Sequence, residues 1–104
     1  MCGIVGTVLK DGPDEALVLQ MVKLISHRGP DEQSVYSDGD VTFGFARLSI
    51  IDPLSGHQPI YNEDQSIVVI CNGEIYNHEL KRSELAKRGH RLNSDSDAEV
   101  IPHL

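Results

Sequence analysis

Three observations predict an α+β fold with antiparallel sheets. Two β-rich stretches, 33–36 and 41–51, are joined by the short turn Ser37-Asp38-Gly39-Asp40, a connection suited to antiparallel neighbours. Strands lead the chain and then mix with helices, without a regular strand–helix–strand alternation. The chain has 104 residues, enough for one small domain and not two.

The elements follow in order. Residues 2–9 (CGIVGTVL) are β-branched and apolar and predict a strand starting at the N-terminus. Asp11-Gly12-Pro13 is a turn. Asp14 can cap a helix reaching about Ser26, with Leu17, Met21, Val22 and Ile25 on a broad apolar face. His27-Arg28-Gly29-Pro30-Asp31-Glu32 is a loop, and so is the stretch from Asp52 to Gln58. SIVVIC, 66–71, predicts a strand stopped by Asn72-Gly73. Leu80, Leu85 and Ala86 give 77–88 helical spacing, ended by Gly89. Residues 91–93 suggest a short strand. Ser96-x-x-Glu99 fits a capping box opening a last helix.

Composition narrows the function. The net charge of −7 repels phosphate backbones, so nucleic acid is not expected as a partner. There is no apolar run of membrane-spanning length and no secretory leader, so a cytoplasmic protein without membrane contact is the expectation. Cys2 and Cys71 are the two cysteines; they make no disulfide framework, and no Cys/His spacing suggests zinc.

Cys2 carries the most chemistry. A small residue after Met favours removal of Met1. Cys2 would then hold a thiol and a free α-amine, a base that ordinarily titrates at ~7.7–8.0. Such an amine can take the thiol proton directly or through water. The alternative is that Cys2 is simply a small apolar residue opening a strand.

The motifs decide between these. Cys2-Gly3-Ile4-Val5-Gly6 resembles the opening of class II glutamine amidotransferases, the N-terminal-nucleophile hydrolases that release ammonia from glutamine. Four further segments resemble the asparagine-synthetase branch in the expected order: HRGPDE at 27–32, RLSIID at 47–52, GHQP at 56–59 and NGEIYN at 72–77. SDAEVI at 96–101 is similar to a fifth. The resemblance covers essentially the whole chain.

The resemblance implies a four-layer αββα sandwich, incomplete here. Residues 1–104 would be the N-terminal part of one type-2 amidotransferase domain, with the synthetase domain absent. It makes Cys2 the nucleophile and the Asn72 side-chain amide and Gly73 N–H the oxyanion donors; an Asn-Gly hairpin turn is the plainer reading of that pair. Arg47 would clamp the glutamine α-carboxylate, against a plainer reading as a surface charge on an edge strand. Asp97 would hold the α-ammonium, against a helix first-turn residue. Glu74 and the backbone of Leu48, Ser49, Ile50 and Ile51 would line the pocket. His27, Arg28 and Asp31 would organise the adjacent loop, and Cys71 would be a buried strand residue.

The implied partners are L-glutamine and a synthetase domain that receives ammonia; a homodimer stays open. This half would need no metal or organic cofactor, because ATP and magnesium belong to the synthetase half that adenylates aspartate. Pro102 and Asp95 depart from the family pattern and predict a short, frayed final helix. They leave a second reading open, a truncated, inactive or merely glutamine-binding remnant.

Overall fold

The computed structural model describes residues 2–48 and 57–104. The chain divides into two compact units, Met1–Ser49 and Ile50–Leu104.

The first unit is one helix on one sheet. Its elements are β1 (Gly3–Val8), α1 (Glu15–Leu24), β2 (Glu32–Asp38) and β3 (Val41–Arg47). The strand order is β1-β3-β2 and both pairings are antiparallel. Gly39, with φ 57°, supplies the left-handed residue that turns β2 into β3. The Asp14 carboxylate accepts the Leu17 N–H at 2.9 Å and caps α1 as the sequence predicts.

Strand alternation then selects the face that α1 covers. Register pairs Val5 with Gly44 and Gly3 with Ala46, so these share one side of the sheet. Val18 and Val22 of α1 are fully buried with Ala46, joined by Val5, Met21, Ile25 and Val35. Fully burying one such valine contributes about 1.5–3 kcal/mol. Gly44 makes the close fit possible: a Cβ there would lie 2.4 Å from Val22 Cγ2 and 2.8 Å from Val18 Cγ1.

β3 ends at Arg47, short of the predicted 41–51. Ser49, Ile50 and Ile51 lie outside the described residues, as does the loop from Asp52 to Gly56. β2 runs longer than predicted, because the full register with β3 extends from Glu32 to Asp38.

The second unit holds a two-stranded hairpin, β4 (Ile60–Tyr61) and β5 (Val68–Val69), then α2 (His78–Lys87) and a 3-10 helix, Asp97–His103. Both β4 and α2 contact the 3-10 helix, and Ile60, Leu85, Ala98 and Val100 are buried. Gly89 stops α2 as expected. With φ +92° it lets its own N–H reach Ala86 O at 3.1 Å and the His90 N–H reach Leu85 O at 3.0 Å, the double bond of a Schellman motif.

Three expectations change here. Residues 91–93 form no strand, because side chains take their backbone donors. The Glu63 carboxylate accepts the Arg91 N–H at 2.9 Å, and Glu99 accepts the Asn93 N–H at 3.0 Å. The capping box does not form either: Ser96 makes no side-chain cap, and Glu99 also takes the Ser94 hydroxyl at 2.8 Å. Two donors just upstream outcompete the single N–H a capping box offers. The last helix is not frayed. It is a 3-10 helix that runs through Pro102, with Pro102 and His103 both buried. No helix among the described residues is long and apolar enough to cross a membrane.

Candidate functional site

The first unit seats Cys2 at the start of β1, half-buried. The Leu48 N–H points at Cys2 Sγ over 3.4 Å, and the Leu48 carbonyl lies 3.9 Å from the same sulfur. The antiparallel register of β1 with β3, continued one residue beyond Gly3–Ala46, sets Cys2 opposite Arg47, so Leu48, the next residue, comes within reach of its sulfur. From the loop after α1, Arg28 Nε donates to the Cys2 carbonyl at 3.1 Å.

That loop is stitched to the end of β3. The Asp31 N–H donates to Arg47 O at 3.0 Å, and Pro30 bridges Arg47. Gly29 lies flat against the strand. A Cβ there would come 2.3 Å from Ala46 O and 2.6 Å from Arg47 N, both backbone atoms. The glycine of the HRGPD segment is therefore required for the loop to reach the strand at all. Gly3 also packs tightly, its missing Cβ facing Ile25 Cδ1 at 2.7 Å, so its role is helix packing.

Arg47 stands on the central strand, 7% exposed, with Nη1 3.2 Å from Glu32 Oε2. It is not the surface charge on an edge strand that the plainer reading offered. A buried guanidinium needs an anionic partner, and Glu32 provides one from the neighbouring strand.

The second unit presents the other predicted residues. Asn72, Gly73 and Glu74 are exposed in the segment after β5. Among the described residues the glycines with positive φ are Gly12, Gly39 and Gly89, so Gly73 is not in the conformation that an Asn-Gly type I′ hairpin turn requires. What fixes the segment is a side chain. Gln58 Nε2 donates to Cys71 O at 2.9 Å, and Gln58 Oε1 accepts the Cys71 N–H at 2.7 Å. One amide thus serves both backbone groups of the residue before Asn72, as a neighbouring strand would. Cys71 is half-buried and lies beyond β5, not inside a strand as the sequence predicts, because β5 spans Val68–Val69.

On the far side of the segment, Asp97 Oδ2 accepts the Ile75 N–H at 2.6 Å while Oδ1 accepts the Ala98 N–H at 2.9 Å. Asp97 therefore ties the 72–77 segment to the 3-10 helix, and its carboxylate already serves two backbone donors. Arg82 braces the approach to that helix by donating to the carbonyls of Ser94 and Ser96, the latter at 2.9 Å. Sequence reading assigns Arg28 a loop-organising role without its bond to Cys2, and assigns Gln58 none. Both residues lie within quoted motifs, but a contact over 13 or 26 positions leaves no periodic trace.

The chain thus combines helices with antiparallel sheets and holds, just before β1, a cysteine whose sulfur faces a backbone N–H. The glutamine amidotransferase domain family matches residues 1–104, and the chain belongs to that family. It is 45% identical over its whole length to asparagine synthetase [glutamine-hydrolyzing] 1 of Arabidopsis thaliana. It is 47% identical over its whole length to asparagine synthetase [glutamine-hydrolyzing] of Asparagus officinalis. Over 97% of the chain it is 46% identical to asparagine synthetase [glutamine-hydrolyzing] 1 of Bacillus subtilis. The chain spans 18%, 18% and 17% of the length of these three relatives.

Proposed function

We propose that this chain is the glutamine-hydrolysing part of an asparagine-forming enzyme, with Cys2 as the nucleophile. The observation that carries the reading is the seat of Cys2, its sulfur facing the Leu48 N–H and its carbonyl held by Arg28. An N–H aimed at sulfur is a ready donor for a thiolate, and the Arg28 bond fixes the backbone from which it projects.

The steps follow from the residue types. With Met1 removed, the Cys2 thiol gives its proton to its own α-amine. The thiolate attacks the side-chain amide carbon of glutamine, and a C–S bond forms. The oxyanion that results is held by the Asn72 amide and the Gly73 N–H; losing one such donor costs about 10²–10³ in rate. The C–N bond then breaks, and ammonia leaves with the proton returned by the α-ammonium. Water attacks the thioester, the C–S bond breaks, and glutamate leaves a restored thiol. Arg47 and Asp97 select the substrate by opposite charge at its carboxylate and ammonium ends, while Glu74 and the Leu48 backbone line the pocket.

The architecture that suits this reading is a four-layer αββα sandwich of the N-terminal-nucleophile type, with residues 1–104 as its N-terminal part. Ammonia passes to a synthetase domain, where ATP and magnesium would serve the activation of aspartate; the glutaminase steps above use the chain's own groups and water. A biosynthetic role of this kind suits a cytoplasmic protein.

The test is glutamate release from L-glutamine by the protein, beside Cys2→Ala, with the intact mass measured. Turnover lost in Cys2→Ala and a mass lacking Met1 are expected. Turnover by protein that retains Met1 would remove the α-amine from the mechanism. Glutamine binding without turnover would leave a binding module instead.

A further inference from the structure

Three segments of the second unit converge on one carboxylate. Glu63 lies in the loop of the β4–β5 hairpin, which Asn62 fixes by accepting the Ile67 N–H and donating to Ser66 Oγ, both at 2.9 Å. His90 follows the Schellman glycine of α2. His103 closes the 3-10 helix, its side chain fully buried. His90 Nδ1 is 2.9 Å and His103 Nδ1 3.0 Å from the same atom, Glu63 Oε1. The two rings meet edge to face with centroids 5.5 Å apart.

The Arg91 N–H also donates to Glu63 Oε1, at 2.9 Å. Three groups therefore face an oxygen with two lone pairs. Two imidazole nitrogens and one carboxylate oxygen, all within 4.8 Å of one another, are also a donor set for a divalent transition ion.

We propose that Glu63, His90 and His103 bind a divalent transition cation of the zinc class, separately from the residues of glutamine hydrolysis. Each neutral imidazole offers its Nδ1 lone pair, and Glu63 offers a carboxylate oxygen. This choice also accounts for the far side of His103. Its Nε2 is buried and has no hydrogen-bond partner, yet Glu99 Oε1 is 3.8 Å away. With Nδ1 on a metal, the proton sits on Nε2 and faces that carboxylate, the arrangement that orients metal-bound histidines.

The hydrogen bonds around the Glu63 carboxyl hold its pKa down at about 2. Its own backbone N–H contributes most and then the Arg91 N–H; burial opposes them, and His90 and His103 each lower it by less than burial raises it. The neighbouring Asp64 carboxyl is also lowered, first by the Ser66 hydroxyl and then by the Ser66 N–H. Access is open. The Glu63 and His90 side chains are 29% and 33% exposed, which leaves solvent to supply a fourth ligand. Nitrogen donors favour zinc or cobalt over calcium or magnesium. The histidines are 13 residues apart and Glu63 lies 27 before the first, a spacing outside familiar zinc motifs.

The test is calorimetric titration of Zn²⁺, with Mg²⁺ as the comparison, into chelator-treated protein carrying Cys2→Ala and Cys71→Ala so that no thiolate competes. Co²⁺ in the same protein reports coordination by its visible absorption. One Zn²⁺ per chain, four-coordinate Co²⁺ bands and no Mg²⁺ binding are expected. His90→Gln, at a part-exposed ring, keeps the fold and abolishes binding. Glu99→Gln weakens binding by about 10–100-fold. No Zn²⁺ binding by the parent, or Zn²⁺ binding unchanged by His90→Gln in a protein with parental circular dichroism, overturns the proposal.

Discussion

The Gln58 side-chain amide makes both backbone hydrogen bonds of Cys71, accepting its N–H at 2.7 Å and donating to its carbonyl at 2.9 Å. Asn72 and Gly73 come next in the chain, so this clamp sets the start of the segment that the proposed oxyanion donors occupy. Gln58→Ala removes two bonds worth about 1 kcal/mol each. Chemical denaturation should show a loss of about 1–2 kcal/mol. Gln58→Glu keeps an acceptor for the Cys71 N–H but sets a negative oxygen against the Cys71 carbonyl. Its glutaminase kcat should therefore fall at least as far as that of Gln58→Ala. Unchanged turnover in both variants would separate the clamp from catalysis.

Gly29→Ala tests the stitching of the loop to β3. The added methyl would meet backbone atoms of Ala46 and Arg47 at 2.3–2.6 Å, and backbone cannot rotate away as a side-chain end can. A cost of about 3 kcal/mol follows, a large part of a native stability of ~5–15 kcal/mol. Thermal unfolding should move down by more than about 10 °C. Where folded protein survives, displacement of Arg28 should also lower turnover at Cys2. A melting point unchanged by the methyl would mean that the loop has room the geometry denies.

Much of the local structure was legible because local chemistry decides it. Asp14 caps α1, Gly39 turns the β2–β3 hairpin and Gly89 ends α2, each through a residue type suited to its backbone task. Sequence reading failed where distant groups compete for the backbone. The strand expected at 91–93 lost its donors to Glu63 and Glu99, and the Ser96–Glu99 box lost Glu99 to Asn93 and Ser94. β4 is two residues between Pro59 and Asn62, too short for any periodicity. The motifs around Cys2, Arg47, Asn72 and Asp97 were visible as motifs. The contacts supporting them were not, since Gln58, the loop residue Arg28 and the Glu63–His90–His103 cluster act across 13 to 40 positions.

Gly89→Ala probes how α2 is closed. At φ +92° a side chain strains the backbone, whereas no heavy atom lies within 4 Å of the position a Cβ would take. The cost is therefore conformational, about 1–2 kcal/mol. Gly89→Asn should be milder than Gly89→Ala, because Asn tolerates the left-handed region better. Equal destabilisation by the two in urea titrations would point to lost packing instead.

Asp97 and Arg47 combine a structural bond with a proposed substrate contact, and conservative variants separate the two. Asp97 accepts the Ile75 and Ala98 N–H groups on different oxygens. Asp97→Asn keeps one carbonyl oxygen and removes the charge that would attract an α-ammonium. Arg47 faces Glu32 from the central strand, and Arg47→Lys keeps the charge while losing the planar fork. Each variant should raise KM for glutamine about tenfold or more, equivalent to ~1.4 kcal/mol or more of binding, with a smaller change in kcat. Loss of uniform binding has that kinetic form, whereas a displaced catalytic group lowers kcat. Glutamine analogues lacking the α-ammonium should discriminate less between wild type and Asp97→Asn, and analogues lacking the α-carboxylate less between wild type and Arg47→Lys. If instead kcat fell with KM unchanged, and the analogues showed no such pairing, Asp97 and Arg47 would be framework residues and the charged ends of glutamine would be read elsewhere.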